Sequence, residues 1–268
     1  MTTVLALLRA DKHLSASALS TYLTCPAQYQ HRYLLRTHPV HRAGALVFGS
    51  AVHVSLALFY RRLMERNSEP TAEELEASFA DTWKRELRGP VPVLLENHET
   101  EASVQDQGIE LVRAFHEQAE RPHKVLAVEE PFSVELSNPS TGEVLCERFV
   151  GVFDAVVEDP DQTCRVLEHK ATSRRWSQDR LAFDHQVTAY TMAASIRGFG
   201  NAVVSVQLLL RQKKPALEVL HARRTERDTR DLLQVVIGVL AAIEAGAFYP
   251  VRDWHCRSCP YAGPCVAG

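Results

Sequence analysis

At 268 residues, with 46% hydrophobic residues and a net charge of −3, the chain can bury a sizeable core and has the composition of an ordinary globular protein. That charge excludes nucleic-acid binding by bulk charge alone, although basic residues cluster at Arg174-Arg175, Arg211 to Lys214 and Arg223-Arg224. The apolar run Val4–Leu8 is too short for a signal peptide's apolar region or a membrane span, so a cytoplasmic protein without membrane association is expected.

Ser15 or Ser17 can cap a helix reading SALSTYLT. Pro26 suits the first position of a second helix, PAQYQHRYLLR, and leaves Cys25 at the junction, where a side chain can project into a site. Phe48, Val52, Leu56 and Phe59 recur at helical spacing and predict a helix over about 47–65 that carries His53. A lone helical histidine is more often structural than functional. Helices over about 72–87 and 100–120 read as a helical insertion without a chemical motif. Strands over 125–136, 143–157 and 164–171 form an antiparallel meander. A helix over about 179–197, strands over 202–211 and 217–223, and a helix over about 228–245 complete the chain. The order predicts a mixed α/β sheet flanked by helices.

The most informative stretch is GVFDAVVEDPDQTCRVLEHK, from Gly151 to Lys170. Two β-rich runs flank the polar turn EDPDQT, which reads as a hairpin with a longer loop. With the turn centred on Asp161, Asp154 faces Glu168. Opposed residues share a sheet face, with Cβ atoms roughly 4.5–5.5 Å apart. Carboxylates that close repel unless a proton or a cation lies between them. Lys170, two residues after Glu168, falls on the same face. Two acids and a lysine among apolar neighbours fit a divalent-metal site with a fixed positive charge beside it. A surface ion-pair cluster is the competing reading. On the next helix, Gln186 and Tyr190 are four residues apart and share a face that could border this group. A buried tyrosine with a satisfied hydroxyl is the plainer alternative.

Six cysteines in a cytoplasmic protein suggest metal or redox chemistry before disulfides. Cys256, Cys259 and Cys265, spaced C-x2-C-x5-C among Gly and Pro, read as a metal-binding knuckle. Cys25 is a better fourth ligand than His255. Cys146 and Cys164, on predicted strands, read as small core residues. Four thiolates can hold zinc or an iron–sulfur cluster, and spacing does not decide between them.

Taken together, these residues resemble the RecB-like branch of the PD-(D/E)XK nuclease superfamily. The likeness is to members with an iron–sulfur cluster: the AddB-type nuclease domain and the CRISPR adaptation exonucleases. It runs from Ser15 to Cys265 and is weakest over 72–120. It implies one nuclease domain over 1–268, with a restriction-endonuclease-like core at 125–223 and the helical insertion at 72–120. His53 in GSAVHVSL, Asp154 in GVFDAV and Glu168 in VLEHKAT stand at the family's metal-ligand positions. The backbone carbonyl of His169 joins them, and Lys170 is the motif lysine. Gln186 and Tyr190 in HQVTAY match the Q-x3-Y motif associated with DNA contact. Cys25, Cys256, Cys259 and Cys265 match the cysteine pattern of the [4Fe–4S] members. Glu129 is a candidate outer acidic residue. His169 departs from the aromatic or aliphatic residue usual there.

The resemblance implies a Mg²⁺- or Mn²⁺-dependent DNA exonuclease that prefers single-stranded ends, serving DNA repair, recombination or CRISPR adaptation. Arg174 and Arg175 could hold flanking phosphates. The second reading is a DNA-end-binding subunit with weak catalysis, working with a helicase or integrase. A third, a zinc-stapled structural protein, leaves Asp154, Glu168 and Lys170 unexplained. No phosphate-loop motif occurs, so the chain is no helicase itself.

Overall fold

A computed structural model describes residues 13–65, 69–96 and 98–267, without the side chains of 146, 147 and 267. The run Val4–Leu8 and the Cys146 side chain lie outside the described residues. Five strands form one sheet in sequence order: β1 Lys124–Ser137, β2 Val144–Glu158, β3 Cys164–Thr172, β4 Val203–Leu210 and β5 Ala216–Ala222. β3 and β4 run parallel and every other pair is antiparallel. The parallel pair needs a crossover, and helices supply it.

Helices cover both faces. On one lie α1 Ala16–Thr24, α7 His185–Ile196 and α8 Glu226–Glu244, over Val156, Val166 and alternate β4 residues from Val204 to Leu210. On the other lie α3 Gly44–Met64, α4 Ala72–Leu87 and α5 Glu101–Gln118, over Ala155, Val157, Leu167 and Leu209. The 72–120 segment thus closes the second core with α3. By length and composition α3 could cross a membrane, yet Phe48, Val52, Leu56, Phe59 and Tyr60 on it are buried in that core.

Local chemistry sets the ends of the elements. Ser15 Oγ accepts from Ala18 N and starts α1. Cys25 ends α1, and Pro26 opens α2, Pro26–Tyr29, which passes into a π-helical turn over Gln30–Leu34. Thr71 with Glu74 and Thr225 with Asp228 form capping boxes, and the latter starts α8 two residues earlier than the apolar pattern suggests. The single helix expected over 179–197 is two: α6 Gln178–Ala182 and α7. Phe183 ends the first and Asp184 caps the second, its Oδ1 accepting from Val187 N at 3.0 Å. A short acidic side chain that caps competes with helix continuation.

A candidate active site at a fork between two strands

The β2–β3 hairpin has the register expected from its turn. Ala155 pairs Leu167 and Val156 pairs Val166. The pairing stops there, and the next rung would set Asp154 against Glu168. Beyond it the two strands part. Leu14 bonds to β2 through the Arg148 carbonyl and the Val150 N–H, and the Tyr190 hydroxyl donates to the Val152 carbonyl at 2.8 Å. Gly151 makes room for this wall: a Cβ there would lie 2.4 Å from the Phe132 ring, which packs on Phe153 and Tyr190.

On its other side β2 pairs β1, with Val128 opposite Ala155 and Glu130 opposite Phe153. That register sets Glu129 opposite Asp154. Glu129, Asp154 and Glu168 therefore form one row across three adjacent strands. Glu129 has a backbone φ of +50°, rare for a side-chain-bearing residue.

His53 enters from α3. Its Nδ1 lies 3.2 Å from Asp154 Oδ1, while Asp154 Oδ2 accepts from the His169 backbone N–H at 2.7 Å. Ligand atoms of His53, Glu129 and Asp154 all fall within 4.8 Å of one another. Burial opposes ionisation of Asp154, but His53 and the His169 N–H outweigh it and hold the carboxyl below its ordinary value. Burial also disfavours the His53 imidazolium, yet Asp154, Glu168 and Glu129 together lift it to about 9. The fork is a strong trap for positive charge.

Glu168 is only 3% exposed, and it stands outside that tightest trio. Its Oε1 contacts Lys170 Nζ at 2.5 Å and accepts from Gln186 Nε2 at 2.9 Å. Its Oε2 is buried without a hydrogen-bond partner among the described residues. An orphaned carboxylate oxygen beside two further acids fits a cation. Burial, with Asp154 adding, raises the Glu168 carboxyl to about 7 despite Lys170. Burial works against the Lys170 ammonium, but Glu168 and Asp154 raise it overall. Gln186 Oε1 accepts from Lys170 Nζ at 2.8 Å, so one amide holds both groups.

The motif residues thus divide by position. Tyr190 is buried, and its hydroxyl is taken by Val152 and Gln186; it braces the site from behind. The His169 side chain turns to the other core and stacks on Tyr60, where burial lowers its pKa to about 4. Its N–H faces the fork, and along a strand the C=O of a residue points to the same edge as its N–H. Arg174 and Arg175 are exposed, with Arg175 paired to Glu218 at 2.7 Å.

The described cysteines form no disulfide. Burial, with Cys25, Cys256 and Cys265 as negative neighbours, raises the Cys259 thiol. The chain ends that carry them are packed together. Tyr22 OH donates to the Ala247 carbonyl at 2.8 Å, Ala27 N to Tyr249 O at 3.2 Å and Val40 N to Pro260 O at 3.3 Å. Cys164 lies half-buried on β3.

A row of acids with a lysine at the fork of a mixed sheet is suited to hold a cation beside a fixed positive charge. The chain belongs to the PD-(D/E)XK nuclease superfamily, whose pattern matches residues 13–266. Among solved structures it is similar to a protein from Eubacterium rectale described as a proposed exonuclease, with a TM-score of 0.60 and 13% identity over 97% of this chain and 91% of that one. The structure of SSO0001 aligns at a TM-score of 0.41 and 12% identity, over 96% of this chain and 87% of that one. No curated protein matches. The first likeness speaks to the fold.

Proposed function

We propose that this nuclease is a Mg²⁺- or Mn²⁺-dependent DNA exonuclease that acts on single-stranded ends in the cytoplasm. The observation that carries the reading is the fork: His53, Glu129 and Asp154 gathered in reach of one cation, with the unpartnered Glu168 Oε2 and the Lys170 ammonium beside them. His53, Asp154, Glu168 and the His169 carbonyl would hold the ion, with Glu129 as an additional acid. The imidazole makes Mn²⁺ more welcome than an all-oxygen set would. When bound, the cation polarises the scissile phosphate and acidifies an attacking water.

The remaining work falls to the chain. Lys170, held by Glu168 and Gln186, orients the water or offsets charge developing on the phosphate oxygens. The water oxygen bonds to phosphorus, the phosphorus–oxygen bond to the leaving nucleotide breaks, and the leaving oxygen takes up a proton. Gln186 keeps Lys170 on the phosphate side, and Tyr190 keeps Gln186 in place. The protein from Eubacterium rectale, described as a proposed exonuclease, favours exonuclease action, and the resemblance to repair and CRISPR adaptation nucleases favours a helicase or integrase partner.

We propose further that Cys25, Cys256, Cys259 and Cys265 hold a [4Fe–4S] cluster, which takes four thiolates. The packing of the two segments that carry them against each other supports the assignment. One experiment tests the main reading: end-labelled single- and double-stranded DNA incubated with and without Mn²⁺. Mn²⁺-dependent shortening of single strands from their ends is expected. No cleavage of either DNA by protein purified without oxygen would refute it.

A further inference from the structure

Phe183 is 78% exposed, more than any other large apolar residue described. It stands at the corner between α6 and α7, and that corner is held rather than loose. Its N–H donates to Asp179 O at 3.0 Å. Leu181 beside it is buried. Arg224 braces the corner from outside, with Nη2 donating to Leu181 O at 2.6 Å and Nε to Thr188 Oγ1 at 2.9 Å. A rigid turn is therefore presenting an aromatic ring to water.

The corner is also coupled to the fork. Gln186, three residues on, is hydrogen-bonded to Glu168 and Lys170. Three residues span at most about 11 Å between their Cα atoms, so the ring and the amide that reaches the fork belong to one short stretch of chain. Two exposed cations belong to the segment that joins β3 to this corner. Arg174 is exposed, and the exposed Arg180 lays its guanidinium 4.3 Å from the Trp176 ring centre. Among the described residues neither pairs with a carboxylate. Cations that track a backbone, next to a ring on which a base can stack, are the chemistry of single-strand binding. A paired base in a duplex has its faces occupied by its neighbours and cannot use such a platform.

We propose that Phe183 is a strand-positioning residue: an unpaired base stacks on its ring and sets the adjacent phosphate over the fork, giving the enzyme its preference for single strands. The inference rests on the nuclease reading for its role, but the stacking itself is measured without cleavage. The probe is a fluorescent single-stranded oligonucleotide, compared with the same strand carrying abasic sites, binding wild type, Phe183→Ala and Phe183→Trp. Phe183→Ala should weaken binding of the intact strand by about 5–150-fold, the range of one lost base–aromatic stack. It should bind the abasic strand as wild type does, and Phe183→Trp should restore affinity. Thermal unfolding should be unchanged, as the ring packs on little. In cleavage assays Phe183→Ala should raise KM for single strands by a similar factor, with kcat within about two-fold.

Equal binding of the intact strand by Phe183→Ala and wild type overturns the proposal. So does a wild type that does not distinguish intact from abasic strands. A wild type that binds as expected but cleaves nothing supports the stacking platform and refutes the nuclease reading.

Discussion

The fork and the cysteine lobe are built on opposite plans. Asp154, Lys170 and Gln186 at the fork are each held by another protein group before any ion arrives: Asp154 by the His169 N–H, Lys170 by Glu168 and Gln186, Gln186 by Tyr190. Its residues come from α3, three neighbouring strands and α7, all anchored in the two cores. The cysteines come from opposite ends of the described chain, and their segments meet through a few hydrogen bonds and the ring contacts Tyr22–Phe248 and His31–Tyr261. Cys256 is exposed, on a single turn of 3₁₀ helix over Trp254–Ser258. A site whose scaffold is complete can lose its ion and keep its shape. A site that joins separate segments depends on its ion for its shape.

The largest test of this contrast removes a fork residue. Asp154→Ala should lower cleavage by on the order of 10³-fold and abolish Mn²⁺ binding in a calorimetric titration. Lys170→Ala should lower cleavage by about 10²–10³-fold while Mn²⁺ binding persists. Both should keep the far-ultraviolet circular dichroism of the folded protein. Undiminished cleavage by either variant would remove the fork from the chemistry.

Proton competition gives the next effect. Glu168, raised to about 7, must be ionised to hold a cation, and His53, raised to about 9, must lose its proton. Mn²⁺ affinity, and cleavage at sub-saturating Mn²⁺, should therefore fall about ten-fold for each unit of pH from about 9 to about 7, where only His53 must lose a proton, and about a hundred-fold for each unit below about 7, where Glu168 must lose one as well. In the ion-free protein the sign differs. A carboxyl raised by folding contributes stability that is full below its unfolded value of about 4.5 and lost as pH rises through about 7. His53 likewise contributes stability that is full below about 6.5 and lost as pH rises through about 9. Mn²⁺ should therefore raise the unfolding temperature more at pH 8 than at pH 6, which scanning calorimetry would show.

At the lobe the order of effects inverts. Cys25→Ala should change cleavage by no more than about three-fold but lower stability substantially. Closing so long a loop is worth about 5 kcal/mol, or on the order of 10 °C in Tm for a chain of this size. Anaerobic wild-type protein should be brown, and the variant should lose colour and stability together. A variant that loses colour at unchanged Tm would show the lobe to be as self-supporting as the fork. Tyr190→Phe should have the smallest effect, a few-fold loss of cleavage with unchanged Mn²⁺ binding, because it frees Gln186 without touching the ligands.

Much of this was legible because turn chemistry fixes register. EDPDQT centres one hairpin, and from that centre Asp154 and Glu168 follow by counting, with Lys170 on the same side. The first hairpin is less readable. A plain ladder continued from the Ser137–Val144 pair would put Ala127 opposite Asp154. Irregularities near Leu136 advance the register, and Glu129 takes that place instead. Nothing in VLAVEEPFSVEL marks a bulge, so Glu129 stayed a loose candidate. The break before Asp184 was hidden because LAFDHQVTAY stays apolar enough for one helix. The inward turn of Tyr190 depends on β2 parting from β3, a consequence of Leu14 arriving from far away in sequence.

The positions of the cysteines along the chain also set a sequence in time. During synthesis Cys25 leaves the ribosome before any strand of the five-stranded sheet, and Cys256, Cys259 and Cys265 follow only after all five and α8. His53, Asp154, Glu168, Lys170 and Gln186 all emerge in between. Domains fold as their residues emerge, so the fork can be assembled on the nascent chain while the lobe is still missing three of its four thiols. With the proposed cluster, iron delivery would be the final step of maturation, and a cell short of iron would accumulate chains with a formed nuclease centre and an unclosed end.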